Sequence, residues 1–219
     1  MLHTKENQFI RLEYENDGSL NGFCPKARSN SLRKYPLWRA VISYNGRKEI
    51  ELRPAGACAV SEDGDRIEFR FDCGEDRNGK RYPVSILCKG VFKADEIHWS
   101  LCVENTLEGS VVREIQFPVL SLGRDSEPFS ILTSRLGGEK VNNFFTTIGD
   151  HATAYFRQDN RVVRYTSLYP GCFSAMNFLN IDFGSHGIYC GIPAYIPQPP
   201  VHLLSHGRPA LFPASEPDP

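Results

Sequence analysis

The stretch Tyr165–Gly191 reads Y-T-S-L-Y-P-G-C-F-S-A-M-N-F-L-N-I-D-F-G-S-H-G-I-Y-C-G, and its pattern decides the fold class. Tyr169-Pro170-Gly171 has the form of a turn, because Pro170 presets φ and Gly171 can take φ > 0. The apolar run Ala175–Phe183 follows, then the turn Gly184-Ser185-His186-Gly187 and a short returning strand, Ile188–Cys190. In the run, Met176 and Phe178 point one way and Leu179, Ile181 and Phe183 the other. A strand here is therefore predicted to be covered on both faces. The spacing predicts a central strand of a layered β assembly, with the returning strand beside it.

Outward from this strand the same signals recur. Phe9–Glu15 alternates, with Ile10, Leu12 and Tyr14 on one face, and Asn16-Asp17-Gly18 turns it into Leu20–Cys24. A basic loop, Pro25–Tyr35, precedes the strand Leu37–Tyr44. Asn45-Gly46 then signals a tight hairpin into Glu49–Arg53. Ala57–Ser61 and Arg66–Phe71 form another hairpin around Asp63-Gly64, with Ile67, Phe69 and Phe71 inward. Gly74–Arg81 reads as a polar loop. Val84–Phe92 and Glu96–Glu104 pair around Lys93-Ala94-Asp95, with Ile97, Trp99, Leu101 and Val103 on one face. The even spacing from about residue 40 to 105 predicts an antiparallel meander. Val111–Leu120 is a strand whose Pro118 must fall at an edge or bulge, because proline has no N–H for a ladder. Residues 121–150 read as long loops with short strands, His151–Arg157 as a strand, and Asp159-Asn160 as a turn into Val162–Tyr165. Almost nothing predicts helix.

Composition narrows the function classes. The chain has 219 residues, 41% hydrophobic and 23% charged, and a net charge of −1 with both signs mixed along it. No phosphate-neutralising field exists, so neither nucleic acid nor an anionic membrane is expected as a partner. No apolar run approaches the roughly 20 residues of a membrane span. The seven cysteines (Cys24, Cys58, Cys73, Cys88, Cys102, Cys172 and Cys190) form no C-x-x-C. Their odd count and their places beside apolar residues predict buried free thiols, with Cys172 the most exposed, and a reducing, cytoplasmic setting. The start, M-L-H-T-K-E-N-Q, shows no signal-peptide pattern.

Two sets of short motifs carry a resemblance. One is Tyr169–Gly171, Ser174–Met176 and Gly187–Tyr189 in that order. The other is Val103-Glu104-Asn105 followed by Glu114-Ile115-Gln116-Phe117-Pro118. Together they resemble the galactose-mutarotase-like β-supersandwich domain that precedes the catalytic (β/α)8 barrel in large glycoside hydrolases of the endo-α-N-acetylgalactosaminidase-like kind. The resemblance covers approximately residues 8–191. It implies an all-β antiparallel supersandwich that is non-catalytic itself, buttresses the barrel of a parent enzyme and touches carbohydrate. After Gly191 the composition changes: eight of the chain's 15 prolines lie between Pro193 and Pro219. The segment 192–219 is expected to be extended or disordered. The resembling domains continue there with further β structure, so this chain departs from them. The expectation is a sandwich truncated at its C-terminal end, with an open edge suited to self-association.

Candidate chemistry is sparse. No pair of carboxylates reads as buried, no catalytic residue is assigned, and no phosphate-binding loop or serine elbow occurs, so no cofactor is expected. His98 beside Glu96, and His151 beside Asp150, read as outer-face residues rather than as an acid–base pair. The recurrence of Cys58, Cys73, Cys88 and Cys102 follows the strand period and predicts no metal site. Sugar binding needs rings to stack on and polar side chains beside them. The candidates are Trp38 with Arg39, and Tyr169 with Asn177, with Tyr35 and Phe173 nearby in sequence. Trp38 also fits a core position, and Tyr169 a packing role in its turn. A free-standing carbohydrate-binding protein and a β-sandwich scaffold remain the alternative readings. A polar cleft holding rings would mark the first, and an apolar face poor in rings the second.

Overall fold

Turn chemistry lays out the strands. In the computed structural model Asn45 and Gly46 both take positive φ, 50° and 66°, the geometry that joins antiparallel strands with their natural twist. Residues 1–28, 32–46, 48–122, 129–135, 138–144, 157–159, 162–164 and 174–191 are described. They group into two compact units, Met1–Ser121 and Leu122–Pro219. The single domain read over 1–191 spans both units, and its Pro-rich tail, 192–219, lies outside the described residues.

The all-β expectation holds: the described residues form antiparallel strands with almost no helix. In the first unit, β1 (Leu2–Glu6), β2 (Ile10–Glu15) and β3 (Ser19–Pro25) lie side by side. After the short β4 (Leu32–Arg33), β5 (Tyr35–Pro36) adds to β3. A register shift at Glu13/Tyr14 bends β2, while Ile10, Leu12 and Tyr14 are buried as their alternation predicts. The hairpin β6 (Arg39–Tyr44) and β7 (Lys48–Pro54) begins a second sheet. A third contains β8 (Ala59–Asp63), β9 (Arg66–Phe71), β12 (Val84–Lys93) and β13 (Glu96–Asn105).

Here the single meander gives way. Gly74–Arg81 is not one polar loop but the arm of a small hairpin, β10 (Gly74–Glu75) and β11 (Arg81–Tyr82). This hairpin leaves the third sheet and extends β7 in the second. Gly74 permits it, because a Cβ there would stand 3.2 Å from Leu52 and 3.3 Å from Trp38. Asp76 closes the arm by accepting from the backbone of Asn78 and Lys80. On the far side of that sheet β14 (Ser110–Gln116) pairs with β6, breaks register at Val112/Glu114 and stops before Pro118. β14 thus lies at the edge of its sheet and ends before Pro118, so the proline takes no place in the ladder. The three sheets pour their inward residues into one core, including Leu12, Leu37, Trp38, Ile42, Leu52, Phe69 and Ile86. Gly90 sits opposite Trp99 and leaves room for its ring, where a Cβ would meet Cζ3 at 3.0 Å.

β15 (Ser121–Leu122) straddles the boundary between the units. In the second unit a four-stranded sheet runs β17 (Glu139–Val141), β16 (Ser130–Arg135), β20 (Ser174–Asp182), β21 (Gly187–Gly191). The apolar run is an inner strand, β20, with its returning strand β21 alongside, as read from the sequence. One face of this sheet is buried through Ile131, Thr133, Val141, Ile181 and Ile188. β18 (Arg157–Asp159) and β19 (Val162–Arg164) form a separate hairpin.

Candidate functional site

The structure separates the sequence-predicted residues. Trp38 is fully enclosed, edge-on to Phe71 at 5.7 Å, so its ring offers no face to a ligand. Arg39, next in sequence, takes the other side of β6. It forms an ion pair with Glu51, and its guanidinium donates to the Tyr35 hydroxyl at 3.2 Å. Tyr169 and Phe173 lie outside the described residues, as do His151 and Asp150. Asn177 lies on β20. His98 and Glu96 are exposed and hydrogen-bonded to each other on the outer face of β13, as neighbours on a strand face should be. Among the described residues no three His, Cys, Asp or Glu converge as metal ligands. Cys172 falls outside the description, and the exposed thiol among those described is Cys102.

Among the described residues two surfaces carry polar chemistry beside rings, and neither is centred on the residues that sequence reading selected. The first is the face of the four-stranded sheet opposite Ile131, Ile181 and Ile188. Alternation puts Phe178, Asn180 and Asp182 of β20 on that face, and the register puts Tyr189 opposite Asn180. Tyr189 is 68% exposed, and its ring stacks on Phe178 with centroids 6.0 Å apart and planes within 17°. Asp182 accepts from the Gly184 backbone at 2.8 Å and meets Lys140 at 3.5 Å. Those contacts hold its carboxyl below the usual carboxylate range, the backbone bond contributing most. An aromatic pair whose outer ring is free thus stands beside an amide and a carboxylate.

The second surface is a depression of about 550 Å³ in the first unit, lined by His3, Tyr14, Asn16, Ala57, Cys58, Val60 and Glu62. Its parts come from β1, β2, the β2–β3 turn, and β8 with the segment entering it. His3 stacks on Tyr14 with centroids 5.3 Å apart, and one ring nitrogen bonds Asn16 Oδ1. The Tyr14 hydroxyl donates to Glu62 Oε1, and Lys5 donates to Glu62 Oε2 at 3.1 Å and to the Gly64 carbonyl at 3.0 Å. Burial pushes the Tyr14 phenol well above its ordinary value, and Glu62 adds to the shift. Burial also works to raise Glu62, but the bonds from Tyr14 and Lys5 outweigh it and hold the carboxyl below its ordinary value. The Cys58 thiol is pushed up to about 11, mainly by burial and secondarily by the Asp17 charge, so at neutral pH it is a protonated wall rather than a nucleophile.

Sequence reading missed this constellation because its members are far apart along the chain. Tyr14 and Glu62, 48 positions apart, are joined by the packing of two sheets rather than by a motif. The one local signal was the inward alternation of Tyr14, a polar ring end that needs a partner once buried. The surface at Tyr189 was legible in part, as the strand carrying it. The chain matches no protein-family model and no curated protein.

Proposed function

We propose that this chain is a non-catalytic β domain of a carbohydrate-active enzyme of the glycoside hydrolase kind, supporting a catalytic barrel of its parent and contacting glycan. The observation that carries the reading is the Phe178–Tyr189 stack, with Tyr189 exposed and Asn180 and Asp182 on the same sheet face. Sugar rings present flat C–H faces to aromatic rings and hydroxyls to amides and carboxylates, so this pairing suits a glycan better than an apolar peptide. The family motifs point the same way. A scaffold reading would call for a ring-poor apolar face, and the face of this sheet that carries Tyr189 is neither.

Glycan-array binding of the full chain, repeated with Tyr189→Ala, tests the proposal. The expected result is a defined set of bound glycans whose signal falls by about tenfold or more in the variant, the loss of a stacking contact worth roughly 1.4 kcal/mol. Binding unchanged by Tyr189→Ala, or absence of any bound glycan, would overturn it.

A further inference from the structure

Sheet edges present unpaired backbone N–H and C=O groups, and most edges of the first unit are protected against pairing with another chain. In the first sheet β5 has two residues, one of them Pro36, and the short β1 turns Lys5 onto Glu62. In the second, β11 has two residues, and β14 is bulged at Val112/Glu114. In the third, β8 is tied to the first sheet by Lys5 and by the Cys58 backbone N–H, which donates to the Asn16 carbonyl. β13 is the exception. It forms the other edge of the third sheet, runs for 10 residues and keeps an unbroken register with β12 from Glu96 to Asn105. It contains no Pro, Gly, Lys or Arg. Among the described residues no strand pairs with its far side.

The apolar row of β13 is also incompletely covered. Val84, Ile86, Cys88 and Phe92 of β12 are buried, whereas Ile97, Trp99, Leu101 and Val103 of β13 pack against the same core but stay half-buried. A strand laid along β13 would cover that row and satisfy the edge.

The side chains of β13 select the strand. Antiparallel partners point to the same face, so two copies of β13 can meet about a twofold axis only with apolar row against apolar row. Centring the pair on Ser100 sets Glu96 against Glu104 of the second copy at both ends, which is repulsive. Centring it on Cys102 sets Trp99 against Asn105. Centring it on Leu101 sets His98 against Glu104 at both ends, Ser100 against Cys102, Trp99 against Val103, and Leu101 against its own copy. The last register matches shape and charge together. Within one chain Glu96 has Lys93 opposite it on β12, and Lys89 is held by Glu68, but Glu104 faces Ser85 rather than a cation. His98 and Glu104 are both exposed on the outer face, so their pairing leaves the core undisturbed.

We propose that β13 is a self-association edge, pairing antiparallel with β13 of a second copy about a twofold axis at Leu101. The third sheet then continues across the axis, with four strands from each copy. The contact is independent of the Tyr189 surface.

The test is sedimentation velocity of the full chain from micromolar to millimolar concentration, with hydrogen exchange measured at both ends of that range. A monomer–dimer equilibrium is expected, with concentration-dependent protection confined to Glu96–Asn105. His98→Glu sets carboxylate against carboxylate twice, and Glu104→Lys removes the acceptor twice. Each should weaken the dimer by at least about tenfold. An equimolar mixture of the two variants should restore it, because each chain then supplies the charge that the other lacks. Both positions are exposed, so neither variant should lower the unfolding temperature. Tyr189→Ala should leave the dimer unaltered, so failure here and failure of the glycan-contact reading are separable. A monomer throughout the range, a dimer protected outside β13, single variants that dimerise like the parent, or a mixture that stays monomeric would each overturn the proposal.

Discussion

The hydroxyl of Tyr14 donates to Glu62 Oε1 at 2.5 Å, tying the middle of one sheet to the outer strand of another. Tyr14 is buried against the edge of Phe69, so its polar end has no water to turn to, and Glu62 supplies the partner. Lys5, lying over the Phe92 ring at 5.9 Å, balances the charge that this arrangement brings to the margin of the core.

Tyr14→Phe is expected to destabilise the first unit by about 1–2 kcal/mol, the low end for a hydrogen bond to a charged acceptor, because the Glu62 carboxylate is partly exposed. In a double-mutant cycle with Glu62→Ala the two losses should not add, because both remove the same bond. Urea denaturation of the four proteins measures it; strict additivity would show that the bond contributes nothing.

The pH dependence has a defined sign. The folded-state pKa of Glu62 lies below its ordinary value of 4.5. Its ionised form is therefore favoured by folding, and the corresponding stability is present above that value and lost as pH falls through the folded-state pKa. Asp17 acts in the same sense. Burial works to raise its pKa, while bonds from the Ser19 backbone and Lys34 lower it on balance. Thermal unfolding temperatures should thus fall as pH drops below about 4. Glu62→Gln should show a shallower fall over that window, and identical slopes would remove Glu62 from the account.

Gly18 closes the β2–β3 turn with φ +72°, and the space a Cβ would need is occupied by Phe71 and Cys58. Gly18→Ala combines a left-handed backbone with a steric clash and should cost about 2–4 kcal/mol. Gly64→Ala, at φ +53° with nothing within 4 Å, should cost only the backbone part. Chemical denaturation of the pair separates the two effects, and equal losses would mean that the floor of the depression is not tightly packed.

Thiol reactivity should follow burial. Cys102 is exposed on the outer face of β13, whereas Cys88 is buried and its thiol is raised well above its ordinary value. Cys58, pushed up to about 11, holds little thiolate at neutral pH. Brief alkylation followed by peptide mass spectrometry should label Cys102 ahead of Cys58 and Cys88. Early labelling of Cys88 would indicate that the third sheet opens.

Much of the fold was legible along the chain because the signals are local. Alternation placed Ile10, Leu12 and Tyr14 inward, Asn45-Gly46 fixed a hairpin, and Pro118 marked the end of an edge strand. The run Ala175–Phe183 was read as an inner strand with its partner beside it, and so it stands. The departure of β10 and β11 to the second sheet was not legible. It depends on the fit of Gly74 against Leu52 and Trp38, which are distant in sequence.

The candidate sites divide along the same line. Sequence by itself determined which residues are capable of stacking and hydrogen bonding, but Trp38 satisfied the ring criterion and was drawn into the core, since burying its apolar surface outweighs any exposed use. The exposure of Tyr189 on Phe178, and the meeting of His3, Tyr14 and Glu62 around one depression, arose in the packing of the strands. Strand period is a property of neighbours in the chain. Convergence of side chains from β1, β2 and β8 depends on how separate sheets pack, and that packing arises from the whole core at once.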